Sequence, residues 1–307
     1  MKQATDVDQQ ISMLKERGVG VGDEKKAKEI LLDVGYYRLG FYLFPFEASY
    51  PNLDQRTHEV KAGTKLSDAV ALYYFDFDIR NVLMRYISRI EVAFRTYMTY
   101  RLSNKYADKP RWFVDEEVVD SSFRQSFDDR HYAIIKKSGT IRCHHSKYKQ
   151  DKYAPVWKTL EFMTLGGVLD LYRNLKKNED KLEVSKHFGV QQTAVFENYM
   201  ESMRCVRNIC AHGAVLYDAR LSRQLRKGPA GSMEEPEERA RVGGAIKVIA
   251  YMLGRVSANR LHDMVLQLND AYMTAIRVSP KLQGVIEKAS LLKWDLQSIS
   301  QLESYIR

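Results

Sequence analysis

Apolar residues recur at three- and four-residue steps along most of the chain, the spacing that lines one face of a helix. The longest run reads LSDAVALYYFDFDIRNVLMRYISRIEVAFRTYMTYRLSNKY, with Leu72, Phe75, Ile79, Val82, Leu83, Tyr86, Ile90, Ala93, Phe94 and Tyr97 on one stripe. Neither proline nor glycine interrupts Leu66 to Tyr106, so the pattern predicts one helix about 60 Å long, suited to a bundle. Ahead of it, DVDQQISMLKERG predicts a short amphipathic helix closed by Gly18, and GDEKKAKEILLDVG a second closed by Gly35. The GVGVG between them reads as a turn, because it lacks the G-x-G-x-x-G spacing and no strand precedes it. YYRLGFYLFPFEASYP is dense in rings and poor in polar residues, which favours packing against a larger body over stacking on bases.

Residues 107–154 carry the weakest periodicity, with a helix expected at SSFRQSFDDRHYAIIKK and irregular chain through SGTIRCHHSKYKQDKYA. Pro155 starts the next helix, in which Gly166-Gly167 permits a break or close packing. NEDKLEVSKHFG is a short helix with His187 at its end, and VQQTAVFENYMESMRCVRNICAHG places Phe196, Tyr199, Met203, Val206 and Cys210 on one stripe. RKGPAGSMEEPEERA reads as a mobile loop, GGAIKVIAYMLGRVSANRLHDMVLQLNDAY as one strong helix, and the tail as short helices. No repeat and no run of strands emerges, so the predicted class is all-α. The expected organisation is an N-terminal helical hairpin and aromatic linker over 1–62, a main helical domain over 63–280 with an irregular insertion at 107–154, and short C-terminal helices over 281–307.

Composition adds a preference for anionic partners. The net charge is +9 and the pI about 9.2, a balance that favours polyanions such as RNA. Cys143, Cys205 and Cys210 are too few for a disulfide framework and fit a reducing, cytoplasmic setting. The opening MKQATDVDQQISMLKERG lacks the apolar core of a signal peptide, and no stretch reaches the length of a membrane span. No membrane partner is expected.

The sharpest chemical candidate is CVRNICAHG, residues 205–213. Composition alone supplies an R-x4-H pattern about half the time, and requiring asparagine after the arginine lowers that to about one in forty. Five helical positions separate Arg207 from His212 by about 140° around the axis. The two can meet at one substrate within a single chain only if the helix ends between them, and Gly213 is the terminating signal. Arginine offers a fixed cationic fork for phosphate and histidine a proton carrier near neutral pH. Together they suit metal-free RNA cleavage, with the 2′-OH as a nucleophile already beside the phosphorus. Acid and base roles stay open, and one histidine is too few for both, so a two-fold dimer is the natural way to complete the site. The competing reading pairs Arg207 with Glu91 or Glu201 and makes His212 a helix cap. A rival site, RCHHSKY, offers Cys143, His144 and His145 to a metal, without a second Cys/His pair at finger spacing. Asp76 and Asp78 lie about 200° apart on the long helix and are not expected to share an ion.

Four blocks in this order resemble the Abi-like (abortive infection) family: QQISMLKERGVGVGDEKKAKEILLDVGYYRLGFYLFPF, LYYFDFDIRNVLMRYISRIEVAFRTYMTYRL, APVWKTLEFMTLGGVLDLYRNL and VRNICAHGAVLYDARL. The resemblance spans roughly residues 8–270. That family is similar to the HEPN superfamily, whose hallmark is R-x4–6-H, often R-N-x-x-x-H. The resemblance implies a HEPN-like helical bundle with an appended N-terminal hairpin. It implies a metal-independent, cofactor-free endoribonuclease of antiphage or toxin type, working on RNA as a homodimer and restrained by an RNA or protein antitoxin. By it, Arg207 and His212 are catalytic, Asn208 supports them, and Glu91 and Arg95 of the IE…R block line the same cleft. TLGGVL departs from the family's aromatic-glycine step, which touches packing and not the motif. Two other readings stay open: a non-catalytic RNA-binding or regulatory module, and a metal-dependent hydrolase using His144 and His145.

Overall fold

The computed structural model describes residues 3–305. Helix α1 (Val7–Glu16) starts at Asp6, whose carboxylate accepts from Gln9 N while Gln9 reaches back to Asp6 N, a reciprocal cap that satisfies two end donors. Asp23 caps α2 (Glu24–Asp33) by accepting from Lys25 N and Lys26 N. The two bury Ile11 and Leu14 against Ala27 and Leu31. The aromatic segment forms a helix of its own, α3 (Tyr36–Leu43), with Leu39, Tyr42 and Leu43 inward and Tyr37 81% exposed. It packs on α4 (Leu66–Lys105), as the ring density predicts.

The long unbroken helix is present. Its buried stripe continues as Phe94, Met98 and Leu102. Ala93 and Tyr97, expected on that stripe, are only half-buried, and Tyr97 stacks on His187 at 3.5 Å between ring centroids. The segment expected to be irregular is largely helical. α5 (Ser121–Phe127) passes through a π-turn at Asp128–Tyr132 into α6 (Ala133–Ile135), and α7 (Gly139–Lys147) comes next. Ser138 Oγ accepts from Ile141 N, so the serine and glycine that weaken the apolar period cap and open a helix.

From Pro155 the chain forms α8 (Val156–Thr159), α9 (Leu165–Arg173) and α10 (Asn178–His187). The break falls at Met163 and Thr164, where Thr164 caps α9. Gly167 provides close packing, since a Cβ there would lie 3.1 Å from His131 Nδ1. α11 (Thr193–Ala211) runs antiparallel to α4: Phe196 meets Phe94 at 5.6 Å, whereas the chain just past its end meets Asp76. The helix expected after Gly243 is two, α12 (Val242–Val256) and α13 (Ala258–Val278). Ser257 is extended and its Oγ caps α13, which ends one helix and starts the next. α12 is mostly apolar and largely enclosed, with Lys247 and Arg255 at its partly exposed positions, and it touches α4, α11 and α13. At Gly243 a Cβ would lie 2.4 Å from Ser290 O, so only glycine allows that approach.

The tail adds α14 (Leu282–Ser290) and α15 (Leu296–Ser300), with Trp294 buried against Phe75. The polar loop before α12, expected to be mobile, is anchored. Ala230 and Met233 are buried, Tyr199 Oη accepts from Ala230 N, and Tyr305 Oη donates to Ala230 O. One contiguous core includes residues from Ile11 to Leu302. Among the described residues there are isolated bridges and no strands, so the fold is all-α. Among the described residues no helix is long and apolar enough to cross a membrane.

Candidate functional site

The end of α11 is built from backbone first. The amide of His212 donates to Asn208 O, that of Gly213 to Cys210 O, and that of Ala214 to Ile209 O. Gly213 has φ +64°. This is a Schellman ending, with the left-handed residue one position beyond the cap. His212 is the cap, with φ −91° and ψ 2°, so the break falls one residue past it, not between it and Arg207. Helical spacing therefore still separates the two side chains by about 140°. Asn208, one position after Arg207 and one turn before His212, lies between them on the surface, and Arg207 Nη1 stands 3.5 Å from Asn208 Oδ1.

Neither carboxylate that could have neutralised Arg207 does so. Glu201 accepts from Arg173 at 3.0 Å and also pairs with Arg204. Glu91 pairs with Arg95 at 3.0 Å. Arg207 is half-buried without a carboxylate partner among the described residues, and His212 is exposed.

The chain beyond Gly213 is held from beneath by a buried acid. Asp76, fully enclosed on α4, accepts from Leu216 N at 2.9 Å, Tyr217 N at 2.6 Å, Tyr42 Oη at 2.8 Å and Arg80 Nε at 3.1 Å. Burial pushes the Asp76 carboxyl up, and these donors pull it back. Arg38 of α3 donates from Nη1 to Gly213 O at 2.7 Å. Cys210 lies close by, and burial, together with the charge of Asp76, pushes its thiol up to about 12, so it stays protonated at neutral pH. Asp76, Arg80 and Arg38 support the candidate site, a role the sequence pattern does not assign to any of them. The available signal was a carboxylate on the apolar stripe of α4, four residues after Leu72 and seven before Leu83.

The remaining candidates lie elsewhere. Arg95 donates to Glu91 and to Met163 O at 3.0 Å and lies 3.7 Å from Glu161. The pair thus holds the turn before α9, beside Phe94 and the first turns of α11, and the structure does not bring it to the Arg207 end. His144 and His145 sit on helix α7, not in irregular chain. His144 is buried with Nε2 3.1 Å from Asp151, and His145 Nε2 is 2.6 Å from Tyr132 Oη. Among the described residues no three His, Cys, Asp or Glu side chains converge as a metal site.

The sequence model of the Abi-like protein family matches residues 29–218, a narrower span than the four blocks suggest. The match covers well over half of the 307 residues, from within α2 past the α11 terminus. No curated protein and no solved structure matches the chain. From α2 to the residues anchored on Asp76, then, the chain carries the family's pattern, and it belongs to the Abi-like protein family.

Proposed function

We propose that this Abi-like chain is a metal-independent, cofactor-free endoribonuclease of HEPN type, acting in abortive infection or as a toxin, with Arg207 and His212 as its catalytic residues. The observation that carries the reading is the unspent charge at the α11 terminus. Arg80, Arg95, Arg173 and Arg204 each have a carboxylate, whereas Arg207 has none among the described residues and stands beside an exposed histidine. A guanidinium whose charge no internal carboxylate neutralises is available to a phosphate.

In the proposed reaction the substrate 2′-oxygen attacks the adjacent phosphorus and loses its proton to a base. The bond from phosphorus to the 5′-oxygen breaks, and that oxygen takes a proton. The products are a 2′,3′-cyclic phosphate and a 5′-hydroxyl. Arg207 stabilises the charge on the pentacoordinate phosphorus, and His212 moves one of the two protons. Asn208 orients Arg207, and Glu91 with Arg95 supports the α9 turn at a distance. The 140° divergence within one chain supports a homodimer in which a second copy completes the cleft. An RNA or protein antitoxin would restrain this cytoplasmic activity by covering it.

The test is cleavage of RNA in EDTA by the wild type and by Arg207→Ala and His212→Ala. The expected outcome is cleavage by the wild type alone, and none on a substrate whose scissile 2′-OH is replaced by hydrogen. Binding without cleavage by the wild type would support the regulatory alternative, and abolition by EDTA the metal-dependent one. Mixed dimers of the two variants should regain activity if the cleft is composite.

A further inference from the structure

A well-formed concavity lies away from the α11 terminus. It is a cavity of about 730 Å³ between α2, the start of α4 and the end of α13, within the size range of small-molecule sites. Its walls are apolar: Ile30 from α2, Val70 and Phe75 from α4, Ala275 and Val278 from α13. At the end where α2 and α4 begin, Lys26 and Lys65 line the mouth. Asp23 lines that same end, and the acids near it have partners of their own. Glu24 pairs with Lys15 and Asp8 with Lys28. Asp23 accepts from the amides of Lys25 and Lys26, and Asp68 from the amide of Lys65. The fourth charged lining residue, Asp78, lies thirteen residues beyond Lys65 on α4, about 20 Å along the helix. Apolar walls with two lysines against one lining carboxylate, Asp23, at one end complement a molecule with an apolar body and an anionic head.

The cavity also has a mechanical link to the α11 terminus. Its α2 wall leads directly into α3, whose Arg38 holds Gly213 O. Its α4 wall includes Phe75, the neighbour of Asp76, which holds the amides of Leu216 and Tyr217. We propose that this cavity binds an organic anion with an apolar body, of the acyl or aryl carboxylate class, and that its occupancy tightens the chain from Ile209 to Tyr217. As regulation of cleavage this rests on the ribonuclease reading, whereas binding and tightening are measured without RNA.

The experiment titrates the full chain with anilinonaphthalene sulfonate by calorimetry, with decanoate and decanol as competitors, and tracks amide exchange at residues 209–217. The expected result is one probe per chain, displaced by decanoate and not by decanol. Lys26→Glu with Lys65→Glu should weaken binding by about tenfold. Ala275→Phe should abolish it by filling the cavity. Because that change is buried, Thr274→Trp, at an exposed lining position, serves as the second blocking variant. Exchange at 209–217 should slow in the bound wild type. Undiminished binding in Thr274→Trp or in the lysine double variant overturns the site, as does equal competition by decanol. Saturated binding with unchanged exchange at 209–217 overturns the coupling. A wild type that fails to cleave RNA leaves both readouts intact and bears only on the ribonuclease reading.

Discussion

Asp76 and Arg207 are charged side chains that flank the same stretch of chain and are treated oppositely. Asp76 is enclosed and accepts from four donors, two of them the backbone amides of Leu216 and Tyr217. Arg207 is half-buried, is not neutralised by any carboxylate among the described residues, and donates to Asn208 Oδ1 at 3.5 Å. The difference separates two uses of charge. A buried carboxylate with its donors in place fixes backbone, because every alternative leaves polar groups unsatisfied. An arginine without a carboxylate partner contributes little to the fold and keeps its charge for a ligand. The α11 terminus combines them: a backbone locked from below carries a guanidinium that no described carboxylate neutralises and an imidazole open to solvent.

The severest way to break this comparison is to exchange the two outcomes by mutation. Arg207→Ala and His212→Ala should each lower RNA cleavage by about a hundredfold to ten-thousandfold while shifting the unfolding free energy by no more than about 0.5 kcal/mol. Asp76→Ala should do the reverse in kind, costing about 3–5 kcal/mol in denaturant unfolding, because Arg80 and two amides are left buried without their acceptor. A loss under about 1 kcal/mol there would mean that the donors find other partners and the anchor is not one. Gly213→Ala sharpens the middle ground. The added Cβ meets Arg80 only at 3.5 Å, ordinary contact, so the cost is that of a left-handed alanine, about 1 kcal/mol, with cleavage reduced through the displaced His212 cap.

These two residues also show what was readable in the sequence. The terminus was, because its determinants are local: a helical stripe, Arg207, Asn208, His212 and Gly213 within one short segment. The anchor was not. Asp76 reaches Leu216 across 140 positions and Arg38 reaches Gly213 across 175, and no periodicity reports such pairs. Read locally, Asp76 was one half of a poor metal pair with Asp78. The same limit explains the other misses. Ser257 interrupts no apolar period, yet its extended backbone divides α12 from α13. The Gly/Pro/Glu composition before α12 signals a loop correctly but hides that Ala230 is clamped by two distant tyrosines.

Histidines repeat the contrast on a smaller scale. His212 is exposed, whereas His131 is set in the π-turn between the rings of Phe123 and Phe127, with Nε2 enclosed and 3.7 Å from Asp170. Burial pulls the His131 imidazole below its ordinary value of 6.5, and Asp170 offsets only part of that. A group that takes up a proton less readily when folded supports the fold fully above its unfolded value and withdraws that support as pH falls through its folded value. His131 should therefore lower stability on acidification from about pH 6.5 downward, before the carboxylates titrate. Denaturant melts at stepped pH should show that slope in the wild type and in His212→Ala, and a flatter profile in His131→Gln. The effect is the smallest of the set, since Asp170 works against it. It is also specific: a slope that disappeared in His212→Ala and persisted in His131→Gln would place the buried, fold-coupled charge at the α11 terminus and reverse the assignment of which histidine serves the fold.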